Sequence, residues 1–234
     1  DRSTLYIMAR RIYAIDTGTG GIDWQSPPLT NFNINYAGVA VNPTDGSIVG
    51  GGRNGRVRAH NPDGSNKWAT PFNTGGRIES NPAITADGSV VYVGSRNGNL
   101  FALDAGTGTE KWRFDTGDDI YRSSPTIGQD GTVYVAGHSG EVFALRDNGS
   151  SVSQLWNRDI GMDIESDLLV VGSSSVTAGT LFVGSGTRAA SGNSLVAIES
   201  QYTTPANLSN IGSGYDPTEA APTVTITSGD KGDL

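Results

Sequence analysis

Four tryptophans divide this chain of 234 residues into equal steps. Trp24, Trp68, Trp112 and Trp156 follow one another at intervals of 44 residues, a regularity that random placement of four rare residues would seldom produce. A fixed period of this length is typical of a protein built from repeated small β-sheets, and it exceeds the period of about 33 residues of an ankyrin unit. The chain is therefore a series of similar units that pack against one another.

Each tryptophan ends the same local pattern. An alternating apolar segment with an alanine near its end comes first, and a glycine-rich turn leads from it to the tryptophan. The alanines are Ala14, Ala59, Ala102 and Ala144. A second β-rich segment precedes three of these segments and follows an Asp-Gly pair, which favours a hairpin because glycine adopts a positive φ at little cost. Each complete unit is predicted to be a four-stranded meander.

Radial packing of such units predicts an all-β fold, a β-propeller of four-stranded antiparallel blades, with about 4.5–5 blades visible and no visible completion of the ring. The first blade has three strands and the fifth, which begins at Ile164, lacks the tryptophan. The predicted bounds are strands near 4–9, 11–16 and 22–26, then complete blades over 35–70, 78–115 and 121–159.

The composition changes near residue 200. Residues 1–200 are predicted to form the blades, and 201–222, rich in Thr, Ser, Asn, Gly and Pro, to form a linker or long loop. Thr223 to Ser228 alternates like one more strand. The tail at 223–234 is therefore either a strand that closes the ring or the start of another domain.

The segment from Ala102 to Trp112 closely resembles the PQQ-repeat motif, in which alanine, aspartate, Thr-Gly and tryptophan recur at fixed spacing. Its aspartate and glycine are Asp104 and Gly108, and the first unit matches with Ala14, Asp16, Gly20 and Trp24. The second and fourth copies carry Asn and Arg in the aspartate position. An aspartate that opens such a turn can accept backbone N–H bonds, so a structural role is predicted for Asp16 and Asp104.

This resemblance implies one of two kinds of protein. Quinoprotein alcohol or glucose dehydrogenases hold PQQ with Ca²⁺, typically beneath a pair of adjacent cysteines, whereas other members are non-catalytic propellers similar to the lipoprotein subunit of the bacterial outer-membrane assembly machinery. The chain has no cysteine, which excludes the alcohol-dehydrogenase type of site. Variants similar to glucose dehydrogenases stay open. We expect no cofactor, with PQQ and calcium as the alternative.

Charge and hydropathy limit the partners. A net charge of −8 and a pI near 4.6 argue against nucleic acid, since phosphate binding needs a surplus of basic side chains on one face. The sequence has no run of about 18 apolar residues, so it is not expected to span a membrane. The expected partner is a protein or a glycan.

A candidate binding site follows from the loops that lead into the first strand of each blade. The resemblance implies that these loops surround one mouth of the central channel. The candidate residues are Arg77, Glu79, Tyr121, Arg122, Asp163, Glu165 and Asp167. The alternative is that these charges solvate the channel and pair with one another. Asp163, Glu165 and Asp167 occupy alternate positions, so their side chains share one face of a strand. No Asp-rich loop with Ca²⁺-binding spacing lies beside them, and no metal site is predicted.

Catalytic chemistry has little support in the sequence. Of the two histidines, His60 follows the repeat alanine, where other copies have Leu or Ile, and His138 lies in a repeat turn. No nucleophile, base and orienting group stand in a recognisable pattern. We therefore predict a non-catalytic scaffold in the periplasm or at the cell surface, which binds a protein segment or glycan and self-associates to complete the ring. The alternatives are a fragment of a PQQ-dependent dehydrogenase and the sensor domain of a larger surface protein.

Overall fold

The computed structural model of the chain describes residues 3–28, 37–173, 176–185 and 194–199. These residues form 18 β-strands. The described residues contain no helix, and hence none that is long and apolar enough to cross a membrane. The predicted all-β class is confirmed, whereas the predicted linker at 201–222 and tail at 223–234 lie outside the described residues.

The strands form five antiparallel sheets, and within each sheet every strand is hydrogen-bonded to its neighbour in sequence. The first sheet contains β1 (Thr4–Met8), β2 (Ile12–Asp16) and β3 (Ile22–Gln25). The second contains β4 (Val39–Val41), β5 (Ile48–Gly51), β6 (Arg56–His60) and β7 (Phe72–Asn73). The third contains β8 (Ala83–Ile84), β9 (Val90–Gly94), β10 (Asn99–Asp104) and β11 (Glu110–Asp115). The fourth contains β12 (Thr126–Ile127), β13 (Val133–Ala136), β14 (Glu141–Asp147) and β15 (Val152–Asp159). The fifth contains β16 (Leu168–Ser173), β17 (Val176–Ser185) and β18 (Ser194–Glu199).

The four-stranded meander is confirmed in the second, third and fourth sheets, and the first and fifth sheets have three strands among the described residues. The strands of the three complete sheets run over 39–73, 83–115 and 126–159. The predicted blades began four or five residues too early. Before β8 and β12, the residues in question form a loop that is hydrogen-bonded to the preceding sheet.

The core lies between successive sheets. Strand alternation sends apolar side chains to both faces of a sheet, and each face packs on its neighbour. Tyr92 of the third sheet and Val133 of the fourth, for example, belong to one buried cluster. The contact between the first two sheets is the smallest, because Ile12 and Ile48 are its only fully buried apolar members among the described residues.

Three of the repeat tryptophans join successive sheets through the indole N–H. The bonds run from Trp24 to the carbonyl of Pro62 at 2.8 Å, from Trp68 to the carbonyl of Ala105 at 3.0 Å, and from Trp112 to Oδ1 of Asp147 at 2.9 Å. Each acceptor lies between the third and fourth strands of the following sheet or at the edge of that turn. Trp68 lies between β6 and β7, whereas the other three repeat tryptophans lie on β3, β11 and β15.

Three of the four repeated alanines are the cross-strand neighbours of tryptophans. The register places Ala14 opposite Trp24, Ala102 opposite Trp112, and Ala144 opposite Trp156. The sheet has a register shift directly after each of these alanines. A small side chain leaves room for the indole that extends from the neighbouring strand.

The glycine-rich turns before Trp24 and Trp112 are each held by an aspartate. Asp16 Oδ1 accepts the N–H groups of Gly18 and Thr19 at 2.8 and 2.9 Å. Asp104 Oδ1 accepts the N–H and the hydroxyl of Thr107 at 2.8 and 2.9 Å. The Thr107 hydroxyl and N–H bonds lower the pKa of Asp104, so this carboxylate is ionised at neutral pH.

Candidate functional site

Two kinds of loop meet at one end of the sheets. In an antiparallel meander, the turn between the second and third strands lies at the end where the first strand begins. We call this end the mouth surface, formed by the leading segments 77–81, 119–124 and 162–167 and by the turns at 52–55, 95–98 and 137–140. All seven candidate residues lie in the three leading segments.

Backbone hydrogen bonds fix each turn to the leading segment of the next sheet. The carbonyl of Ser95 accepts the N–H of Ile120 at 3.3 Å, and the carbonyl of His138 accepts the N–H of Ile164 at 2.8 Å. The N–H of His138 in turn donates to the carbonyl of Asp119 at 2.8 Å. Side chains of neighbouring sheets are thereby held beside one another along the mouth surface.

Glu79 is the most deeply buried charge of the mouth surface, with a side chain only 1% exposed. Its Oε1 lies 2.7 Å from Nε of Arg53, in the turn of the second sheet. Its Oε2 lies 3.4 Å from Nη1 of Arg96, in the turn of the third sheet. A buried carboxylate needs such partners, because an isolated ionised group would be strongly disfavoured away from water.

Arg96 is held from two further directions. Its Nε and Nη2 both approach Oδ2 of Asp119, at 3.1 and 2.9 Å. Its guanidinium carbon lies 4.5 Å above the ring centre of Tyr121. Burial acts to lower the pKa of Arg96, but the hydrogen bond and charge of Asp119 outweigh it, so the pKa is raised and the charge is permanent.

Arg122 completes a stack around the same ring. Its guanidinium carbon lies 4.7 Å from the ring centre of Tyr121, and its Nη1 bonds to Oε2 of Glu165 in the next sheet at 3.1 Å. His138 meets the Tyr121 ring at 88°, with 5.2 Å between the ring centres. Two guanidinium groups and an imidazole therefore surround one tyrosine.

The backbone at Arg122 is unusual. Its φ is 60°, and it is the only residue other than glycine with a positive φ in the described part of the chain. Three residues separate the buried Ile120 from Ser124, whereas two separate the equivalent Ile78 from Asn81. The fourth sheet thus accommodates one additional residue in its leading segment, and Arg122 takes the left-handed conformation in that enlarged loop.

A chain of side-chain bonds joins the leading segments from sheet to sheet. The N–H of Gly38 donates to Oδ1 of Asn81, the N–H of Asn81 donates to Oγ of Ser124 at 2.8 Å, and the N–H of Ser124 donates to Oδ1 of Asp167 at 3.0 Å. The carboxylate of Asp167 therefore holds the fourth and fifth sheets together at this point.

Two polar atoms of the fourth sheet are buried at the mouth surface without a hydrogen-bond partner in the described structure, namely Oγ of Ser123 and Nδ1 of His138. The equivalent serines of the third and fifth sheets, Ser80 and Ser166, donate to a backbone carbonyl of their own sheet, at 3.4 and 2.8 Å. Ser123, in the enlarged leading segment, thus lacks the carbonyl partner that the two equivalent serines have.

The structure brings four of the seven candidate residues into one network: Glu79, Tyr121, Arg122 and Glu165. Asp167 belongs to the separate chain of side-chain bonds. Arg77 is exposed and contributes its carbonyl, which accepts the N–H of Arg96 at 2.8 Å, and Asp163 is half-buried beside Ile164.

Sequence reasoning missed three members of this network, Arg53, Arg96 and Asp119. Arg53 and Arg96 begin the repeated Arg-Asn-Gly turns. Turn formation explains the Asn and Gly of that motif but not the arginine. The repeated arginine was the signal that could have identified these residues.

The acids and bases of the network neutralise one another within fixed geometry. Among the described residues, no three His, Asp or Glu side chains converge as a metal-binding group. Glu165 is bonded to Arg122, and Asp167 to the N–H of Ser124. The arrangement offers an ordered polar and aromatic surface, suited to recognising a partner by shape and hydrogen bonding.

A family model described as outer membrane protein assembly factor BamB matches residues 8–233, nearly the whole chain. The outer membrane protein assembly factor BamB of Burkholderia pseudomallei (strain K96243) is 34% identical over 104 residues, which cover 44% of this chain and 25% of that protein. Protein Rv3035 of Mycobacterium tuberculosis (strain ATCC 25618 / H37Rv) is 31% identical over 94 residues, which cover 40% of this chain and 22% of that protein.

The crystal structure of BamB from Moraxella catarrhalis superposes with a TM-score of 0.62 at 21% sequence identity, over 83% of this chain and 54% of that one. This likeness shows the fold, and the predicted β-propeller architecture is thereby confirmed. The matched region is about a quarter of the curated relatives and about half of the solved chain. On the extent of the family match, the chain belongs to the BamB-like family of PQQ-repeat β-propellers.

Proposed function

We propose that this chain is a non-catalytic scaffold that binds an extended protein segment at the mouth surface, in the periplasm or at the cell surface, as part of outer-membrane protein assembly. The observation that carries the proposal is the stack of Arg96, Tyr121 and Arg122, which Asp119 and Glu165 hold in place. Arginine and tyrosine are enriched among the residues that dominate binding at protein interfaces.

Preorganisation supports a recognition role for this stack. Side chains that are already ordered lose little conformational freedom when a partner binds. The ion pairs of Arg96 and Arg122 fix both guanidinium groups before any partner arrives. The relative from Burkholderia pseudomallei is an outer membrane protein assembly factor, which supports outer-membrane protein assembly as the setting.

The geometry favours a protein segment over a glycan. A sugar ring is commonly held against an open aromatic face, but two guanidinium groups already lie over the Tyr121 ring. The polar groups that surround the ring suit peptide carbonyl and amide groups. The scaffold needs no cofactor for this role.

The proposal can be tested with an array of overlapping peptides from outer-membrane β-barrel proteins. Binding to the purified chain is measured by fluorescence anisotropy, and Tyr121→Ala and Arg96→Ala are each expected to weaken it about ten-fold, as for residues at the centre of an interface. Asp63→Ala is the control, because Asp63 lies in the turn between β6 and β7, at the opposite end of the sheets. Thermal unfolding of each variant shows whether it is folded at the assay temperature.

Equal affinity of the folded Tyr121→Ala variant and the unsubstituted chain would reject the mouth surface as the binding site. The quinoprotein alternative has its own readout. If PQQ and Ca²⁺ bind stoichiometrically and the quinone absorption shifts, the chain is a dehydrogenase fragment and the non-catalytic proposal fails.

A further inference from the structure

Four arginines of the first two sheets have no acidic partner among the described residues. Arg10 and Arg11 lie in the turn between β1 and β2, and Arg56 and Arg58 lie on β6. The ion pairs within the described ranges include none of the four. We call these four residues the arginine patch. The chain has 24 Asp and Glu but only 16 Lys and Arg, so four unpaired arginines on two adjacent sheets are unexpected.

The two arginines of β6 face the first sheet. Val57 and Ala59 belong to the buried cluster between the second and third sheets. Successive side chains of a strand point to opposite faces, so Arg56 and Arg58 point away from that cluster. His60, two residues further along the same face, lies 6.0 Å from the ring of Trp24 in the first sheet.

Packing brings this face of β6 close to the turn at 9–11. The register places Arg58 opposite Gly50. A Cβ at Gly50 would lie 3.0 Å from Sδ of Met8 and 3.2 Å from Cδ1 of Ile12. Met8 and Ile12 are the residues on either side of the turn, so the arginines of the turn and those of β6 belong to one surface.

Arg58 is the least satisfied member of the patch. Its Nη1 is buried and has no hydrogen-bond partner in the described structure. Burial lowers the pKa of Arg58, and the positive charge of Arg56 lowers it further. A guanidinium group has five N–H donors in a geometry that matches a carboxylate. A bound carboxylate would therefore supply both the acceptor and the negative charge that Arg58 lacks.

The arginine patch adjoins the mouth surface. Arg56 directly follows the turn at 52–55, and its carbonyl accepts the N–H of Gly52 at 3.1 Å. From the same turn, Arg53 contacts Glu79, which also contacts Arg96 of the stack. Packed sheets lie about 10 Å apart and an extended chain advances about 3.3 Å per residue, so about three residues cross one sheet. A segment bound at the stack needs only a few more residues to reach the patch.

The rest of this end of the sheets is acidic. Its described bases beyond Arg96 are Arg122 and Arg158. The described acids there are Asp115, Asp118, Asp119, Glu141, Asp159, Asp163, Glu165 and Asp167. These acids would repel a broad anionic surface such as lipid headgroups, whereas the acidic part of a peptide can occupy the patch alone.

We propose that the protein segment bound at the mouth surface carries acidic residues on one side of its contact with the Arg96 stack, and that their carboxylates bind the arginine patch. The inference rests on the proposed function, because it extends the same site to the first two sheets. The acidic residues lie about three to six positions from the residue at the stack. The patch thus selects acidic segments and determines which end of the segment lies over the first two sheets.

Synthetic peptides provide the test. One neutral sequence of Gly, Ser, Thr and Tyr is prepared with a block of Glu or a block of Gln at one end. Binding to the purified chain is measured by fluorescence anisotropy at low and high salt. The Glu peptide is expected to bind about ten-fold more tightly at low salt, as two charge pairs of surface strength would allow. This advantage should shrink at high salt because the charges are screened.

The double variant Arg10→Gln, Arg56→Gln is expected to lose the advantage of the Glu peptide. Both side chains are exposed, and thermal unfolding checks that the variant is folded. The matched control is Arg113→Gln with Arg146→Gln, which removes the same charge. Arg113 is paired with Glu110, and Arg146 lies next to the last residue of β14, at the opposite end of the sheets. This control should keep the preference for Glu.

Loss of the Glu preference in the patch variant, with the preference kept in the control, supports the proposal. Equal binding of the Glu and Gln peptides to the unsubstituted chain overturns it, and so do equal effects of the two double variants. Sedimentation of the chain with phosphatidylglycerol vesicles, abolished by Arg10→Gln, Arg56→Gln, would assign the patch to a lipid surface and also overturn it.

Tyr121→Ala separates this inference from the proposed function. If Tyr121→Ala weakens binding of both peptides and neither is preferred, the mouth surface binds protein segments and the arginine patch has no part in it. If the Glu preference depends on Arg10 and Arg56 but Tyr121→Ala changes nothing, the patch binds carboxylates and the proposed role of the Arg96 stack is wrong.

Discussion

Trp112 and Asp147 join the third and fourth sheets, with the indole Nε1 of Trp112 donating to Oδ1 of Asp147 at 2.9 Å. The other carboxylate oxygen, Oδ2, accepts the hydroxyl of Tyr92 at 2.7 Å. Burial and the hydrogen bond to Asp147 raise the pKa of Tyr92, so its hydroxyl remains a donor throughout the physiological range. One carboxylate thus accepts hydrogen bonds from two aromatic side chains at the contact between the sheets.

Replacing Asp147 by alanine is expected to destabilise the chain. It leaves the Trp112 and Tyr92 donors without their acceptor, which costs about 1–3 kcal/mol for a buried group. Trp112→Ala is expected to cost about 3–5 kcal/mol, because it also removes a large buried ring. The free energy of unfolding is measured by urea titration. Asp63→Ala is the control, since Asp63 bonds only to Ser65 of its own turn; equal losses for Asp147→Ala and Asp63→Ala would contradict the account.

Gly108 and Gly20 occupy the same position of the repeat but differ in surroundings. Both have a positive φ, +77° and +71°. A Cβ at Gly108 would lie 2.5 Å from the Trp68 ring, whereas a Cβ at Gly20 would have nothing within 4 Å. Gly20→Ala should therefore cost about 1–2 kcal/mol for the left-handed backbone. Gly108→Ala should cost about 1–3 kcal/mol more because of overpacking. Thermal and urea unfolding of the two variants provide the comparison, and equal costs would show that the Trp68 contact is unimportant.

The repeat could be predicted from sequence because the tryptophans make equivalent contacts in successive sheets. Trp24, Trp68 and Trp112 each donate a hydrogen bond to the following sheet. Their equal spacing in sequence therefore reflects equivalent contacts between successive sheets. The spacing does not record which residues are paired in strands. Trp68 precedes β7 although the other three tryptophans lie on strands.

The candidate site could be predicted only in part. The leading segments were identifiable, since they precede each first strand, and they contain Glu79, Tyr121, Arg122 and Glu165. The partners of these residues come from a neighbouring sheet. Arg96 and Asp119, for example, are 23 residues apart in sequence and meet only because the sheets pack side by side. Sequence spacing carries no signal for such a contact.

The buried Glu79 offers a test of the mouth surface itself. Glu79→Gln removes the negative charge between Arg53 and Arg96, and the expected loss is about 3 kcal/mol, the lower end for breaking a buried ion pair. Glu110→Gln is the matched control, because its partner Arg113 is 58% exposed and such surface pairs contribute about 0–1 kcal/mol. Urea unfolding at low and high salt measures both losses. A loss for Glu79→Gln no larger than that for Glu110→Gln would show that the network is not a stabilising feature.

His60 stands in a position that the other copies fill with apolar residues. The equivalent residues of the third and fourth sheets, Leu103 and Leu145, are fully buried, as is His60 itself. The ring of His60 lies 6.0 Å from that of Trp24, and its Nε2 is buried without a hydrogen-bond partner in the described structure. Burial lowers the pKa of His60, and the charge of Arg58 lowers it further, while the bond to Gly64 opposes both.

The neutral form of His60 is therefore the form that the folded chain holds, and this determines how stability depends on pH. The unfolded chain has the ordinary histidine pKa of about 6.5. Below that pH the unfolded chain binds a proton that the folded chain does not. The stability that neutral His60 contributes above about pH 6.5 is therefore lost as the pH falls.

His60→Leu should raise the free energy of unfolding by about 1–2 kcal/mol at pH 7.5, because it removes an unsatisfied buried atom. Its advantage over the unsubstituted chain should widen towards pH 5. Leu103→His, the reciprocal change, should destabilise the chain, and more so at pH 5. Urea titrations across this range decide the matter, and parallel pH profiles for His60→Leu and the unsubstituted chain would mean that His60 is not held neutral between the first two sheets.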